Sequence, residues 1–185
     1  MDARALVGLD ELPTIVAIGP FDDRTHAEQL AASFIGVRAH CKAQLVLLGT
    51  GVQCTTVEKS AAAAGFGTDV CGVPKAPGDQ WSKLVAAADL VVLSNSSSAT
   101  TLLDVLAAGR PVIAPDDPAT VQLVVTGIAG LVYRPGDVSG MEKALLRLLI
   151  TPVLRRGMGG RARQVARRQR VETSIRSRVE EGKPL

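Results

Sequence analysis

The chain has 185 residues, enough for one domain with a sizeable core, and 46% of them are hydrophobic although only 3% are aromatic; this excludes a disordered chain and points to a core of Ala, Val and Leu, as in layered sheet-and-helix folds. No apolar run reaches the ~18 residues of a membrane span, no cationic-then-apolar signal follows the N-terminus, where Asp2 and Asp10 lie, and Cys41, Cys54 and Cys71 are too widely spaced for a metal pair and odd in number for a disulfide framework, so a reduced, cytoplasmic protein is expected. The net charge of +3 is unevenly divided: from Thr151 to Leu185 ten Lys/Arg stand against three Glu, and in the remainder eleven stand against fifteen Asp/Glu.

In chain order, "MDARALVGLDELP" reads as a lead-in and "TIVAIG" (Thr14–Gly19) as a short buried strand. After the loop "PFDDR", "THAEQLAASFIGVRAHC" predicts a helix with Thr25 as N-cap and Glu28 three residues on, a capping-box pattern. "QLVLLGTG" is a strand ending in a glycine turn, "TTVEKSAAAAGFG" a helix stopped by Gly65, and "TDVCGV" a weaker strand. "PGDQWSKLVAAAD" predicts a short helix and "LVVLS" a fully apolar strand. "ATTLLDVLAAG" is a helix ending at Gly109, where glycine fits a left-handed C-cap. "RPVIAP" is a strand, "ATVQLVVTG" a helix, "AGLVYRPGD" a strand and turn, and "VSGMEKALLRLLI" a helix. A long basic helical stretch follows Pro152, its arginines expected to spread around the helix.

The strands are continuous apolar runs separated by helices, the mark of a parallel sheet covered on both faces. The expected fold is α/β: a Rossmann-like doubly wound parallel sheet of about six strands with helices on both faces. The expected division is a Rossmann-like domain over residues 1–150 and a basic helical extension over 151–185.

Open parallel sheets bind ligands beyond the carboxyl ends of their strands. The loops "GPFDDRT", "GTGVQ", "SNSSSATT" and "PDDPAT" are predicted to lie there. The serine-rich loop opens a helix whose first-turn N–H groups carry a partial positive charge suited to phosphate. One serine, Ser98, would suffice as a cap; the surplus of hydroxyls favours a phosphate cradle. Asp104, one turn further in, could accept both hydroxyls of a ribose or be a plain surface carboxylate. Arg24 is either a phosphate partner or a solvated loop charge, and the "GTG" glycines by themselves do little more than end a strand.

Together these pieces resemble the donor-binding half of GT-B fold glycosyltransferases, in particular the large retaining family 4. "ADLVVLS", "LLDVLAAGRPVIA" and "GIAGLVYRPGD" follow the family order of buried strand, Glu-x7-Glu segment, small-residue helix ending in Gly, x-Pro-Val strand and "PGD" turn. Upstream, "LDELPTIVAIGPFDDRT" resembles the family's entry strand and Gly-Arg…Lys loop, and "QLVLLGTG" its second strand. "VCGVPKAPGDQWSKLVAAAD" resembles the nucleobase-side loop and the helix that follows it. The resemblance runs to about Arg168. It implies a nucleotide-sugar (NDP-sugar) ligand, UDP- or GDP-linked, and no further cofactor. The donor-binding set implied is Gly19, Arg24, Gly49, Ser96, Ser97, Ser98, Thr100, Thr101 and Asp104. No catalytic residue and no metal ligand is assigned.

The departures from the family are specific. The second motif glutamate, the ribose ligand, falls on Asp104, and the first, which holds sugar hydroxyls, falls on Ser96. The diphosphate-neutralising arginine and lysine fall on Pro20 and Thr25, and the Pro-Glu pair on Val121 and Gln122. The shorter hydroxyl-rich loop is also similar to the "S-G-(x)-T-x-x-E" motif of inverting GT-B enzymes and sugar-nucleotide epimerases, with Ser98, Thr100 and Thr101 on the diphosphate and Asp104 on ribose. Losing two cations and a carboxylate should cost several kcal/mol of transition-state binding, against roughly 3–4 kcal/mol for one lost oxyanion donor. In the family the acceptor site lies on a separate N-terminal domain, and this chain begins where that domain would end. The expectation is a glycosyltransferase-like nucleotide-sugar-binding domain, inactive alone, whose acceptor domain is absent from the chain. The alternative is a non-catalytic interaction module that keeps the half-fold.

His26 and His40 are fourteen residues apart on one helix and suggest no metal pair or triad. His40 reads as a surface residue, the cysteines as core or semi-buried, and Trp81 as a packing anchor. The tail lacks interleaved aromatics, so nucleic acid is not an expected partner. Its two readings are a solvated helix packed back on the domain and a patch for anionic lipid headgroups, which would place the protein at the inner membrane face. The remaining expected partners are an acceptor domain or a second copy of the chain.

Overall fold

The structure is a computed structural model that describes residues 11–180 apart from 75, 77, 96, 126 and 127. Six strands form one all-parallel sheet: β1 (Thr14–Ile18), β2 (Gln44–Leu48), β3 (Val70–Val73), β4 (Leu90–Leu93), β5 (Val112–Pro115) and β6 (Gly130–Tyr133), in the order β3-β2-β1-β4-β5-β6. Ile15 lies opposite Leu45 on one side and Leu90 on the other. The helices are α1 (Arg24–His40), α2 (Cys54–Ala63), α3 (Gly78–Ala87), α4 (Ala99–Ala107), α5 (Pro118–Thr120), α6 (Val138–Ile150) and α7 (Pro152–Glu180).

The strands show why their sequences are continuously apolar. Successive side chains point to opposite faces, and both faces are dry. Ile15, Ala17, Leu45, Leu47, Leu90, Val92 and Ile113 face one core with Leu30 and Phe34 of α1 and Leu145 and Leu148 of α6. Val16, Ile18, Val46, Leu48, Val91, Leu93, Val112 and Ala114 face the other, with Val105 and Leu106 of α4 and Ala162 and Ala166 of α7. The near-absence of aromatics is met by two aliphatic layers that need only Phe21, Phe34 and Tyr133 as large fully buried rings. Each buried Val, Leu or Ile contributes roughly 1.5–3 kcal/mol of transfer free energy.

Two local expectations are corrected. The N-cap of α1 is Asp23, not Thr25: its carboxylate accepts from Thr25 N at 2.9 Å and His26 N at 3.3 Å. Glu28 pairs with Arg24 at 2.7 Å one turn away, so no capping box forms. "ATVQLVVTG" does not make one regular helix. Asp117 caps the short α5 through Thr120, and Val121–Val125 continues as a π-helical turn. Three of those five residues are β-branched valines, which lower helix propensity slightly. The α7 arginines occupy more than one face: Arg156, Arg163, Arg167 and Arg170 recur at helical spacing beside the buried stripe of Met158, Ala162 and Ala166, and Arg161 and Arg168 are exposed on another face. Among the described residues no helix is long and apolar enough to cross a membrane.

Candidate functional site

The strand order reverses at β1 and β4, and at such a switch point a crevice opens beyond the carboxyl ends of the strands. Two loops build its floor by close backbone approach. Gly19 N donates to Leu48 O at 3.0 Å, Phe21 N to Thr50 O at 2.9 Å and Gln53 N to Phe21 O at 2.9 Å. Gly49 and Gly51 sit at φ of +134° and +148°; a side chain at Gly51 would collide with the Phe21 carbonyl. The "GTG" turn therefore carries glycine because two backbones touch there.

The cleft has a volume of about 420 Å³, within the range of small-molecule sites. Gly19 and Gly49 line its floor, and Ile18, Leu48, Pro74, Ala76 and Trp81 form an apolar wall. Thr101 and Asp104 of α4 form its polar edge. Four of the residues singled out in the sequence thus meet in one cavity: Gly19, Gly49, Thr101 and Asp104. Trp81 does two things, packing against the core beneath α4 and presenting itself to the cleft. The Asp104 carboxylate is about half exposed, with Arg170 of α7 at 3.9 Å.

The hydroxyl-rich turn satisfies much of its own polarity. Ser98 Oγ accepts from Thr101 N at 3.1 Å, the cap expected of it, and lies 3.0 Å from Thr101 Oγ1. Ser97 N donates to the Ser94 carbonyl, and the two hydroxyls lie 3.1 Å apart. Thr100 is exposed at the head of α4. Ser96 lies outside the described residues. Arg24 does not line the cleft; its guanidinium is directed at Glu28 and remains solvated. Among the described residues no cation lines the cleft, and none of the His, Cys, Asp and Glu side chains cluster as a metal site.

Sequence reasoning missed the network that holds this turn. The hydroxyl of the buried Tyr133 lies 2.9 Å from Leu93 O, 3.0 Å from Asn95 Oδ1 and 3.3 Å from His26 Nδ1. Asn95 Nδ2 in turn donates to Asp23 Oδ2 at 3.0 Å. The end of β4, the start of α1 and the end of β6 are thereby tied together. Tyr133 has one proton to give, to Leu93 O or Asn95 Oδ1, so His26 meets it best by donating from Nδ1. That tautomer leaves Nε2 as a bare acceptor, and it is buried without a partner. Burial pushes the His26 pKa below its ordinary value, only partly opposed by the Asp23 charge. Burial likewise raises the Tyr133 pKa far above its usual range, with Asp23 adding to it. For Asp23, partial burial opposes the charge, but the His26 N–H, the Asn95 amide and the Thr25 N–H outweigh it and lower the pKa. The only sequence signal was an isolated Tyr and His, 107 residues apart.

Residues 12–151 match the family model described as glycosyl transferases group 1. No curated protein matches the sequence. Among solved structures, sucrose-phosphate synthase from Thermosynechococcus elongatus superposes with a TM-score of 0.79 at 22% identity, over 97% of this chain and 48% of that one. WaaG, a glycosyltransferase involved in lipopolysaccharide biosynthesis, gives 0.75 at 19%, over 89% and 45%. S. aureus TarM, crystallised with fondaparinux, alpha-GlcNAc-glycerol and UDP, gives 0.70 at 18%, over 83% and 32%. At these identities the likeness is one of fold, and the chain spans half or less of the length of each structure.

Proposed function

The chain belongs to the group 1 glycosyl transferases, and on that premise we propose that its cleft binds the nucleoside diphosphate part of a nucleotide sugar. The observation that carries this reading is the convergence of Gly19, Gly49, Thr101 and Asp104 on one cavity at the sheet's switch point, beside the N-terminus of α4. Asp104 accepts the ribose hydroxyls, a vicinal diol matched to two carboxylate oxygens. Trp81, Pro74 and Ala76 cover the base. The first turn of α4, with the Thr101 and Thr100 hydroxyls, faces the diphosphate, whose charge suits a helix N-terminus. Gly19 and Gly49 let the ligand approach backbone. An acceptor is held by a further domain or partner chain facing the cleft.

Transfer places negative charge on the departing diphosphate, and fixed cations would stabilise it. Pro20 and Thr25 offer none, and Arg24 points to Glu28. We therefore expect binding without turnover from this chain alone. Calorimetric titration with UDP, GDP and ADP tests binding; saturable uptake of at least one is expected, and uptake of none overturns the donor reading. Release of nucleoside diphosphate from a panel of nucleotide sugars tests turnover, where even ~1 per second, an ordinary enzymatic rate, would refute the expectation of inactivity.

One observation favours a second reading, a non-catalytic interaction module. Ser94 with Ser97, and Ser98 with Thr101, satisfy each other and need no ligand. Failure of all three nucleotides to bind, in a folded protein, selects this reading.

A further inference from the structure

At the end of the sheet opposite the cleft, the turn Gly109–Pro111 before β5 and the first turns of α7 enclose a second polar cavity, of about 440 Å³. Among the described residues Arg110, Arg155, Arg156 and Arg163 line it, with one carboxylate, Asp89. That carboxylate is already engaged: it accepts from Thr14 N at 2.9 Å and faces Arg155 Nη2 at 3.1 Å. Arg155 also donates from Nη1 to the carbonyls of Leu148 and Leu149, at 3.0 and 2.9 Å, so this ion pair serves to dock the end of α6. Arg110 is held in place by donating to the Ala86 carbonyl. Arg156 and Arg163 are exposed and have no ion-pair partner among the described residues.

Gly160 borders the cavity, and a Cβ there would meet nothing within 4 Å. Gly109, at φ +72°, allows the Arg163 guanidinium to lie against the turn, where any Cβ would collide with it. Of these four, Arg156 and Arg163 bring to the void two guanidiniums without an ion-pair partner among the described residues, while Asp89 already faces Arg155. Their mutual repulsion is relieved by a multivalent anion, and their planar forks match phosphate oxygens.

We propose that this cavity is a phosphate-binding site, separate from the nucleotide cleft, for a ligand bearing two or more phosphate charges. The same chemistry is presented by a soluble diphosphate and by a phosphomonoester lipid headgroup; the arginine stripe of Arg163, Arg167 and Arg170 continues from the cavity along α7 in the direction of Asp104.

The test uses the full chain and the double variant Arg156→Ala/Arg163→Ala. Helix α7 packs through Met158, Ala162 and Ala166, so both proteins should fold alike, checked by circular dichroism. Calorimetry with inorganic pyrophosphate at about 0.15 M salt, where distant surface charges are screened, is compared with co-sedimentation on phosphatidic acid/phosphatidylcholine vesicles and on phosphatidylcholine alone. Loss of each charged hydrogen bond predicts pyrophosphate binding weakened about tenfold or more in the double variant, with the response to UDP or GDP unchanged. Vesicle binding that requires phosphatidic acid and is lost in the variant assigns the source as a headgroup; pyrophosphate binding without it assigns a soluble ligand. A wild type that takes up neither probe, or a variant that retains full affinity for both, overturns the proposal.

Discussion

Replacing Tyr133 by Phe removes one oxygen from a fully packed ring and nothing else. The ring is 2% exposed, so no water takes the place of the hydroxyl beside Leu93 O and His26 Nδ1, whereas the exposed Asn95 can turn to solvent. Leu93 O or Asn95 Oδ1 loses the one proton that the hydroxyl gives, and His26 Nδ1, whose Nε2 is already without a partner, loses its acceptor. An orphaned buried polar group costs about 1–3 kcal/mol. The variant is expected to lose that much in urea unfolding, with the slope unchanged. For a chain of this size the melting temperature falls by about 2–4 °C per kcal/mol. A double-mutant cycle with Asn95→Ala then reads the network itself. If Tyr133 acts on the turn through Asn95, the two losses should fall short of additivity by about 0.5–3 kcal/mol. A Tyr133→Phe loss below ~0.5 kcal/mol, within the range of ordinary surface substitutions, would refute the reasoning, as would simple additivity.

The burial of neutral His26 carries a pH signature. Its folded-state pKa is depressed below the ordinary 6.5, so the unfolded chain takes up the proton first. The stability contribution is present above pH 6.5 and is lost as pH falls from there through the folded-state pKa; His26→Phe should remove that slope in unfolding measured between pH 7 and 5. Gly51→Ala forces a side chain against the Phe21 carbonyl at a φ of +148°, and should destabilise by more than the ~1 kcal/mol that separates Gly from Ala at an unstrained site, read by thermal unfolding. Asp104→Ala should weaken a bound nucleoside diphosphate by about 1–3 kcal/mol, the loss of a charged acceptor; an unchanged affinity in calorimetry places Asp104 outside the ligand's reach.

The order of elements was legible in the chain because it depends on local chemistry. A strand buried on both faces must be apolar at nearly every position, as "LVVL" and the "IVAI" of β1 are. Gly65 and Gly109 sit at φ of +86° and +72°, as helix ends written in one residue. Ser98 caps α4 because Ser accepts from a free N–H two or three residues on. The first cap was misread because Asp23 and Thr25 are both good caps, and only the packed start of α1 selects between them. What the chain could not show by itself is what lies across from what. Glycines after β1 and β2 look like strand ends until the two loops are seen pressed together. The serines read as surplus acceptors, yet two pairs of hydroxyls consume each other. Tyr133 and His26 carry no pattern at all, because a hydrogen bond between β6 and α1 depends on the sheet order that brings them within 3.3 Å. The α7 arginines spread around the helix in the sequence, and only burial of Ala162 and Ala166 fixed which face meets the domain. Hydrophobic period and cap chemistry act over a few residues and are carried by the sequence alone; partnership between distant polar groups is decided only when the packed sheet sets their distance and removes their water.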